Sequence, residues 1–359
     1  MDGDPSRRDR ALASLTGLAI GDALGMPTQS MALAEIRLDH GRITRFVDAG
    51  PHQRIAHGMH AATITDDTEQ ALLVAQLLIE GGGRIDPLLL AQRLVEWEAA
   101  MEARGSLDLL GPSTKAAVLR IQQGVPVSEA GSGGTTNGAA MRIAPVGIAT
   151  PPGSLTALVD RVVEASSPTH NTGLGIAAAS AVAAAVSAGI DGATASEAVD
   201  VAVDAARQGA RRGVWVAGGD IAARVEWVRS WLPLVPAASR LDALFDVVGT
   251  SVASQESVVA ALALASLEQD PWVTLGDAAS VGGDTDTIAA IAGAVLGAVH
   301  GMAVWPGEAV TRVVRVNGLD LEPVVDGLLA LRDAGAPVVP GAAATPGPVE
   351  PPAAPTEPE

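Results

Sequence analysis

Apolar positions recur along this chain at helical intervals, and several long stretches are apolar on nearly every face. Leu12, Leu15 and Ala19 mark a stripe on a first helix that runs toward Gly25. A second helix is expected from Thr65 to the Gly81-Gly82-Gly83 run. A third opens with Asp86 as N-cap and Pro87 at the first helical position, where the missing N–H would be unsatisfied anyway. Its Leu90, Leu94, Trp97 and Met101 follow at steps of four, three and four, the spacing of one helix face. Another helix starts at Ser196, with Val199, Ala202, Val203 and Ala206 on one side. Alternating runs are scarce, and Ile43–Val47 is the only short strand candidate. No repeat of fixed period is present. The pattern predicts an all-α fold, a compact single domain of many helices over residues 8–335, preceded by a flexible N-terminus at residues 1–7. From residue 336 the pattern stops. Residues 337–359 hold eight of the chain's 23 prolines, with Ala, Thr and Glu between them. That composition cannot bury a core and predicts a disordered Pro/Ala-rich tail over 336–359.

Two segments, Leu174–Ile190 and Ile288–Trp305, are apolar enough to raise the question of a membrane. Each is near the lower length limit for a span, so both are read as buried core helices and no membrane partner is expected. Composition sharpens that picture. Hydrophobic residues make up 48% of the chain but aromatics only 2%, with no Tyr and two Phe. Ala, Val, Leu and Gly must fill the core, and small side chains predict close helix–helix approach. The absence of Cys excludes disulfides, thiolate metal sites and cysteine nucleophiles. It fits a reducing compartment, and with a polar N-terminus lacking a signal-peptide shape the expected location is cytoplasmic. A net charge of −18 and the shortage of base-stacking aromatics argue against a nucleic-acid partner.

The candidate chemistry lies in two short acidic clusters, Ile64-Thr65-Asp66-Asp67-Thr68-Glu69 and Gly282-Gly283-Asp284-Thr285-Asp286-Thr287-Ile288. Each precedes a long apolar helix. Thr and Asp are good N-caps and carboxylates suit a first turn, so either cluster alone is explained as a cap. Together they say more, because Ala71–Ile79 and Ile288–Val299 are apolar nearly all round and would carry their acidic starts into the interior. Two unit charges about 4 Å apart repel by roughly 4 kcal/mol at an effective dielectric near 20. Four converging carboxylates would need a counter-charge, which two divalent cations supply. Oxygen-only ligands select Mg2+, Mn2+ or Ca2+. An EF-hand is excluded: counted from Asp284, position six is Ala289 and position twelve Val295, where Gly and Glu are required. The Asp284/Asp286 pair also lacks the preceding hydrophobic strand of an aspartyl-phosphate phosphatase.

The chain resembles the ADP-ribosylglycohydrolase superfamily, including its dinitrogenase reductase-activating type. The likeness rests on Gly21-Asp22-Ala23-Leu24-Gly25, Thr65-Asp66-Asp67-Thr68 and Gly282-Gly283-Asp284-Thr285-Asp286-Thr287, in that order, and runs from about Leu12 to Gly301. It implies an all-α fold with a dinuclear Mg2+ centre (Mn2+ as the alternative) whose ligands are Thr65, Asp66, Asp67, Asp284, Asp286 and Thr287. The implied reaction is hydrolysis at the anomeric carbon of an ADP-ribosyl group, through an oxocarbenium-like transition state. Asp22 is expected to support the site rather than to bind metal.

The Gly131–Gly138 run could bring backbone N–H groups to a diphosphate, and it is no P-loop, since no Lys follows. Asn137-Gly138 and Met141-Arg142 resemble the family's cleft loop, and Gly134, Thr135, Asn137, Gly138 and Met141 are the expected substrate contacts there. Ser166, Thr169, His170 and Asn171 resemble a ligand-contacting segment. Gly249-Thr250-Ser251 and Ser254-Gln255-Glu256 resemble a further loop by the second acidic cluster, with Ser251 as a substrate contact. Two positions depart from the pattern: Gly134 stands where arginine-specific relatives tend to carry an acidic residue, and Gln29 where many relatives carry Glu. Gln cannot exchange a proton as a carboxylate does, so Asp66 or Asp67 would take the catalytic proton, or the substrate differs. The expected partner is an ADP-ribosylated protein. The alternatives are a small ribosyl nucleoside or nucleotide substrate, and a catalytically silent ADP-ribose binder.

Overall fold

The computed structural model describes residues 4–105 and 110–335. Among them helix dominates and no strand forms; isolated bridges at Met31–Gly283, Thr136–Ala253 and Thr172–Val214 tie loops together. The tail expected from residue 336, and the first three residues of the expected N-terminal segment, lie outside the described residues. The helices that build the site are α1 (Arg7–Gly25), α2 (Asp66–Glu80), α3 (Pro87–Ala103), α4 (Leu155–His170), α5 (Gly173–Ile190), α6 (Ala195–Gly209), α7 (Ser254–Ala265) and α8 (Thr285–His300). A further helix, α9 (Gly307–Asn317), packs on α1.

At the centre α1 and α8 run antiparallel, and their backbones touch. A Cβ added at Gly17 would stand 2.3 Å from the Gly293 carbonyl oxygen, and one at Gly21 would stand 2.0 Å from that of Ala289. At Gly25 it would meet Asp286 Cα at 2.4 Å, and at Gly297 the Ala13 oxygen at 2.1 Å. The small residues recurring every fourth position thus form a seam, as expected of a core built from Gly and Ala. The same seam draws Asp22 and Asp286 to one end of the pair. Helix α5 packs against α4, α6 and α8 and is buried along its length from Leu174; among the described residues it is the one helix long and apolar enough to cross a membrane.

Helix α3 has the cap, the proline and the four buried positions read from its sequence. Helix α6 begins one residue before Ser196, because Thr194 caps it and Glu197 reaches back to the Thr194 N–H, a reciprocal box. The segment Ile43–Val47 is not a strand. The Ile43 N–H donates to Ser280 Oγ at 2.9 Å, so a side chain rather than a neighbouring strand satisfies it. Helix α2 is also less enclosed than its composition suggests. Gln76, Ile79 and Glu80 are exposed, and Leu72 and Leu73 line an open groove of about 790 Å³ with Trp97 of α3. Ile288–Val299 of α8, by contrast, is buried on every face.

Candidate active site

The two acidic clusters sit at the N-termini of α2 and α8 and converge. Asp22, carried by α1, is fully buried and holds the start of α2. Its carboxylate accepts from the Thr65 N–H at 2.9 Å, Thr65 Oγ1 at 2.8 Å, the Thr68 N–H at 3.1 Å and Thr68 Oγ1. It thus caps α2 from a neighbouring helix, since the Thr65 side chain makes no cap bond. Burial pushes Asp22 up to about 6, and these donors pull the other way. The supporting role expected of Asp22 matches this geometry.

Asp67 lies beneath, at 1% exposure. Its Oδ2 accepts from Thr65 Oγ1 at 3.3 Å and from Thr287 Oγ1, on α8, at 3.2 Å. The second bond closes the gap between the clusters. Burial drives the Asp67 pKa well above the carboxylate range, and Asp286, Asp66, Asp22 and Asp284 add to it by repulsion. Asp284 precedes α8, and its N–H donates to the Thr250 carbonyl at 2.7 Å. Its Oδ2 accepts from Asn137 Nδ2 at 2.5 Å, an amide that also donates to Ser257 Oγ. Burial raises the Asp284 pKa, while Asn137 and Thr287 lower it. The turn into α8 needs Gly283, which has φ +75° and whose added Cβ would fall 2.2 Å from the Thr250 oxygen.

A cavity of about 270 Å³ opens above these groups. Asp66, Asp284, Asp286 and Thr287 line it, with Gln29, Asn137, Gly138 and Met141. Thr65 and Asp67 do not line it, and Asp67 joins it only through its bond with Thr287. Of the other residues singled out in the sequence, Gly134, Thr135, His170 and Ser251 do not line the described wall. Gly134 is pressed against the backbone of Thr169 and His170, and Thr135 accepts from the Ser254 N–H. Ser251 is exposed, and Glu256 Oε2 accepts from its N–H. His170 is fully buried behind Thr136, with Nε2 at 2.9 Å from Thr136 Oγ1. In the Gly131–Gly138 run the N–H groups of Ser132, Gly134, Thr136 and Asn137 already donate to protein acceptors, which leaves fewer for a ligand. Thr136, Ser30, Ile55, Pro112 and Val252 also line the cavity and were not read from the sequence. Only Thr136, inside the Gly-rich run, carried a signal that pointed there.

Among the described residues no group of three or more His, Asp or Glu side chains could hold a metal ion as it stands. Around the clusters the hydroxyls and the Asn137 amide are turned onto the carboxylates. The donor set is nonetheless all oxygen, and Asp67 Oδ1 is buried with no hydrogen-bond partner. A buried carboxylate oxygen without a donor, beside other carboxylates, fits a hard divalent cation.

Three comparisons bear on this arrangement. The family model described as ADP-ribosylglycohydrolase matches residues 3–337. The Escherichia coli (strain K12) protein YegU is 36% identical over 331 residues, covering 91% of this chain and 98% of that protein. The ADP-ribosyl-[dinitrogen reductase] glycohydrolase of Rhodospirillum rubrum is 33% identical over 175 residues, 48% of this chain and 55% of that protein. A solved structure titled ADP-ribosylglycohydrolase-related protein complex matches with a TM-score of 0.64 at 25% identity, covering 92% of this chain and 99% of its own.

Proposed function

This chain belongs to the ADP-ribosylglycohydrolase family and is a glycosidic hydrolase, and from that premise we propose that it cleaves the bond at the anomeric carbon of an ADP-ribosyl group with the help of two Mg2+ ions. The observation that carries the metal is Asp67 Oδ1, a buried and unpartnered carboxylate oxygen where two acidic helix starts meet. Thr65, Asp66, Asp67, Asp284, Asp286 and Thr287 would hold the ions. Bound there, the cations would compensate the carboxylates and polarise a water nucleophile.

The chain's own residues divide the remaining tasks. Asp66 faces the cavity and stands ready to take the proton of the attacking water, a role Gln29 cannot fill. Gln29 is 5% exposed, lines the cavity, and its Nε2 has no partner, so it can donate to a sugar or acceptor oxygen. Asn137 fixes Asp284, and Met141 supplies an apolar wall that excludes water.

Incubation of ADP-ribosylated Arg and Ser peptides with the protein, in Mg2+ and in EDTA, tests this by chromatography of the products. Metal-dependent release of ADP-ribose is expected, and release unaffected by EDTA would overturn the metal assignment. The volume of the cavity supports a second reading. At about 270 Å³ it falls below the usual range of roughly 300–1,000 Å³ for ligand pockets. That favours a small ribosyl nucleoside or nucleotide, whose products would be a free base with ribose or a ribose phosphate.

A further inference from the structure

Arg142 lies at the end of the cleft loop, yet it does not reach the cavity. It is fully buried, and its guanidinium bridges two elements of the interior. Nη1 donates to Gln70 Oε1 at 2.8 Å and Nη2 to Thr169 Oγ1 at 2.6 Å. Each partner leads back to the cavity. Gln70 Nε2 donates to Asp66 Oδ2 at 3.0 Å. Thr169 Oγ1 lies 2.8 Å from His170 Nδ1, and His170 Nε2 lies 2.9 Å from Thr136 Oγ1. Asp66 and Thr136 both line the cavity. The chain of bonds therefore leaves the site at one wall and returns at another.

The donor inventory fixes the direction of one arm, and the His170 tautomer sets that of the other. A guanidinium only donates, so Gln70 must turn its oxygen to Arg142 and its NH2 to Asp66. Thr169 must accept from Arg142. In the Nε2–H tautomer of His170 the Thr169 hydroxyl proton goes to Nδ1 and the ring proton is donated to Thr136. Thr136 accepts that proton and is left with its own hydroxyl hydrogen to offer to the cavity. A neutral His170 is required for this order, and burial, with Arg142 adding to it, holds its pKa well below the ordinary value. Arg142 itself is pulled down to about 10 by burial, with Asp66 opposing, and stays charged at neutral pH.

We propose that Arg142 is a positioning residue that acts on both walls at once. Through Gln70 it fixes Asp66 with its carboxylate ready for a cation, and through Thr169 and His170 it makes Thr136 a donor to an acceptor oxygen of the substrate. The acceptor matched to that hydroxyl is a phosphate or sugar oxygen. This rests on the proposed function, because it takes the cavity as the substrate and metal site.

The two arms can be cut separately without removing Arg142. Gln70→Met removes a donor to Asp66, and Thr169→Val removes the link to His170 at almost constant shape, while Thr169→Ser restores it. Calorimetric titration of the full chain uses MnCl2 alone, and ADP-ribose at saturating MnCl2, with melting temperature recorded for every variant. Gln70→Met is expected to weaken Mn2+ binding by about 10–100-fold, as loss of an outer hydrogen bond to a metal ligand does. Thr169→Val is expected to weaken ADP-ribose binding by roughly three- to tenfold and Thr169→Ser to recover it, each arm leaving the other ligand within about twofold. Arg142→Lys, which cannot span both partners, weakens both. If Gln70→Met and Thr169→Val each weaken both ligands together, in step with lost melting temperature, packing alone is at work and the proposal is overturned. A wild-type chain that binds neither Mn2+ nor ADP-ribose would overturn the functional reading, and this inference with it.

Discussion

Asp67 is ionised less readily in the folded chain than in water, because burial and the charges of Asp286, Asp66, Asp22 and Asp284 all oppose it. Replacing it by Asn keeps the shape and removes the repulsion. In EDTA, Asp67→Asn should therefore melt at or above the wild-type temperature, while its turnover in Mg2+ falls by about 10²–10⁴-fold. Calorimetry beside a turnover assay checks both, and wild-type activity in the variant would remove Asp67 from the chemistry. His170 gives a second prediction, with the sign set by its depressed pKa. The unfolded chain binds the His170 proton below about pH 6.5 and the folded chain does not, so the stability that neutral His170 contributes is present above that pH. It is lost as pH falls toward the folded pKa, at up to about 1.4 kcal/mol per pH unit. His170→Gln should lose that slope between pH 7 and 5 in denaturant titrations; an unchanged slope would mean His170 is not the group responsible. At this scale the two acidic clusters were legible, since polar residues at the start of an otherwise apolar helix stand out. The path through Gln70, Arg142 and Thr169 was not, because its members lie on separate elements and only the packing joins them.

Helices were readable wherever a single face or a cap marked them, as Asp86 and Pro87 do for α3. The helices buried all round were recognisable as core, but nothing in their composition named their neighbours. The seam between α1 and α8 supplies that information through Gly17, Gly21, Gly25, Gly293 and Gly297, whose missing Cβ atoms set the distance between the axes. Gly21→Ala would place a Cβ about 2.0 Å from the Ala289 oxygen, and no rotamer relieves a backbone clash. A loss of about 1–3 kcal/mol or more is expected, together with reduced turnover, because the shift moves Asp22 against Asp286. Gly307→Ala, at the first position of α9 with open space around it, should instead be neutral or stabilise by about 0.4–1 kcal/mol. Thermal melts of the pair decide it. Equal stabilities would show that the seam tolerates a side chain and does not set the site's geometry. The absence of a strand at Ile43–Val47 belongs to this scale too: an alternating run becomes a strand only if another strand pairs with it, and here Ser280 satisfies the backbone instead.

For the whole molecule, charge is the quantity that composition announced and the fold redistributed. The net charge is −18 at pH 7. Much of it is surface charge, which ordinary salt screens within about 10 Å at 0.1 M. A smaller part is not: Asp22, Asp67, Asp284 and Asp286 are buried together, where salt screens much less. The two populations should respond differently to added cations. If the buried carboxylates form the proposed metal site, Mg2+ should raise the melting temperature through binding to the folded state alone. That contributes about 2.7 kcal/mol per site at a hundred times the dissociation constant. For a chain of this size the shift is roughly 4–8 °C for one or two sites, taking an unfolding entropy of about 2 cal/mol/K per residue. NaCl at matched ionic strength screens only the surface and should shift the midpoint by much less. Asp67→Asn should lose most of the Mg2+ increment and keep the NaCl response. If NaCl matches Mg2+, the stabilisation is screening of an acidic surface and the buried cluster is not a cation site. If Mg2+ acts alone and Asp67→Asn removes its effect, the charge concentrated between α2 and α8 is where the metal binds.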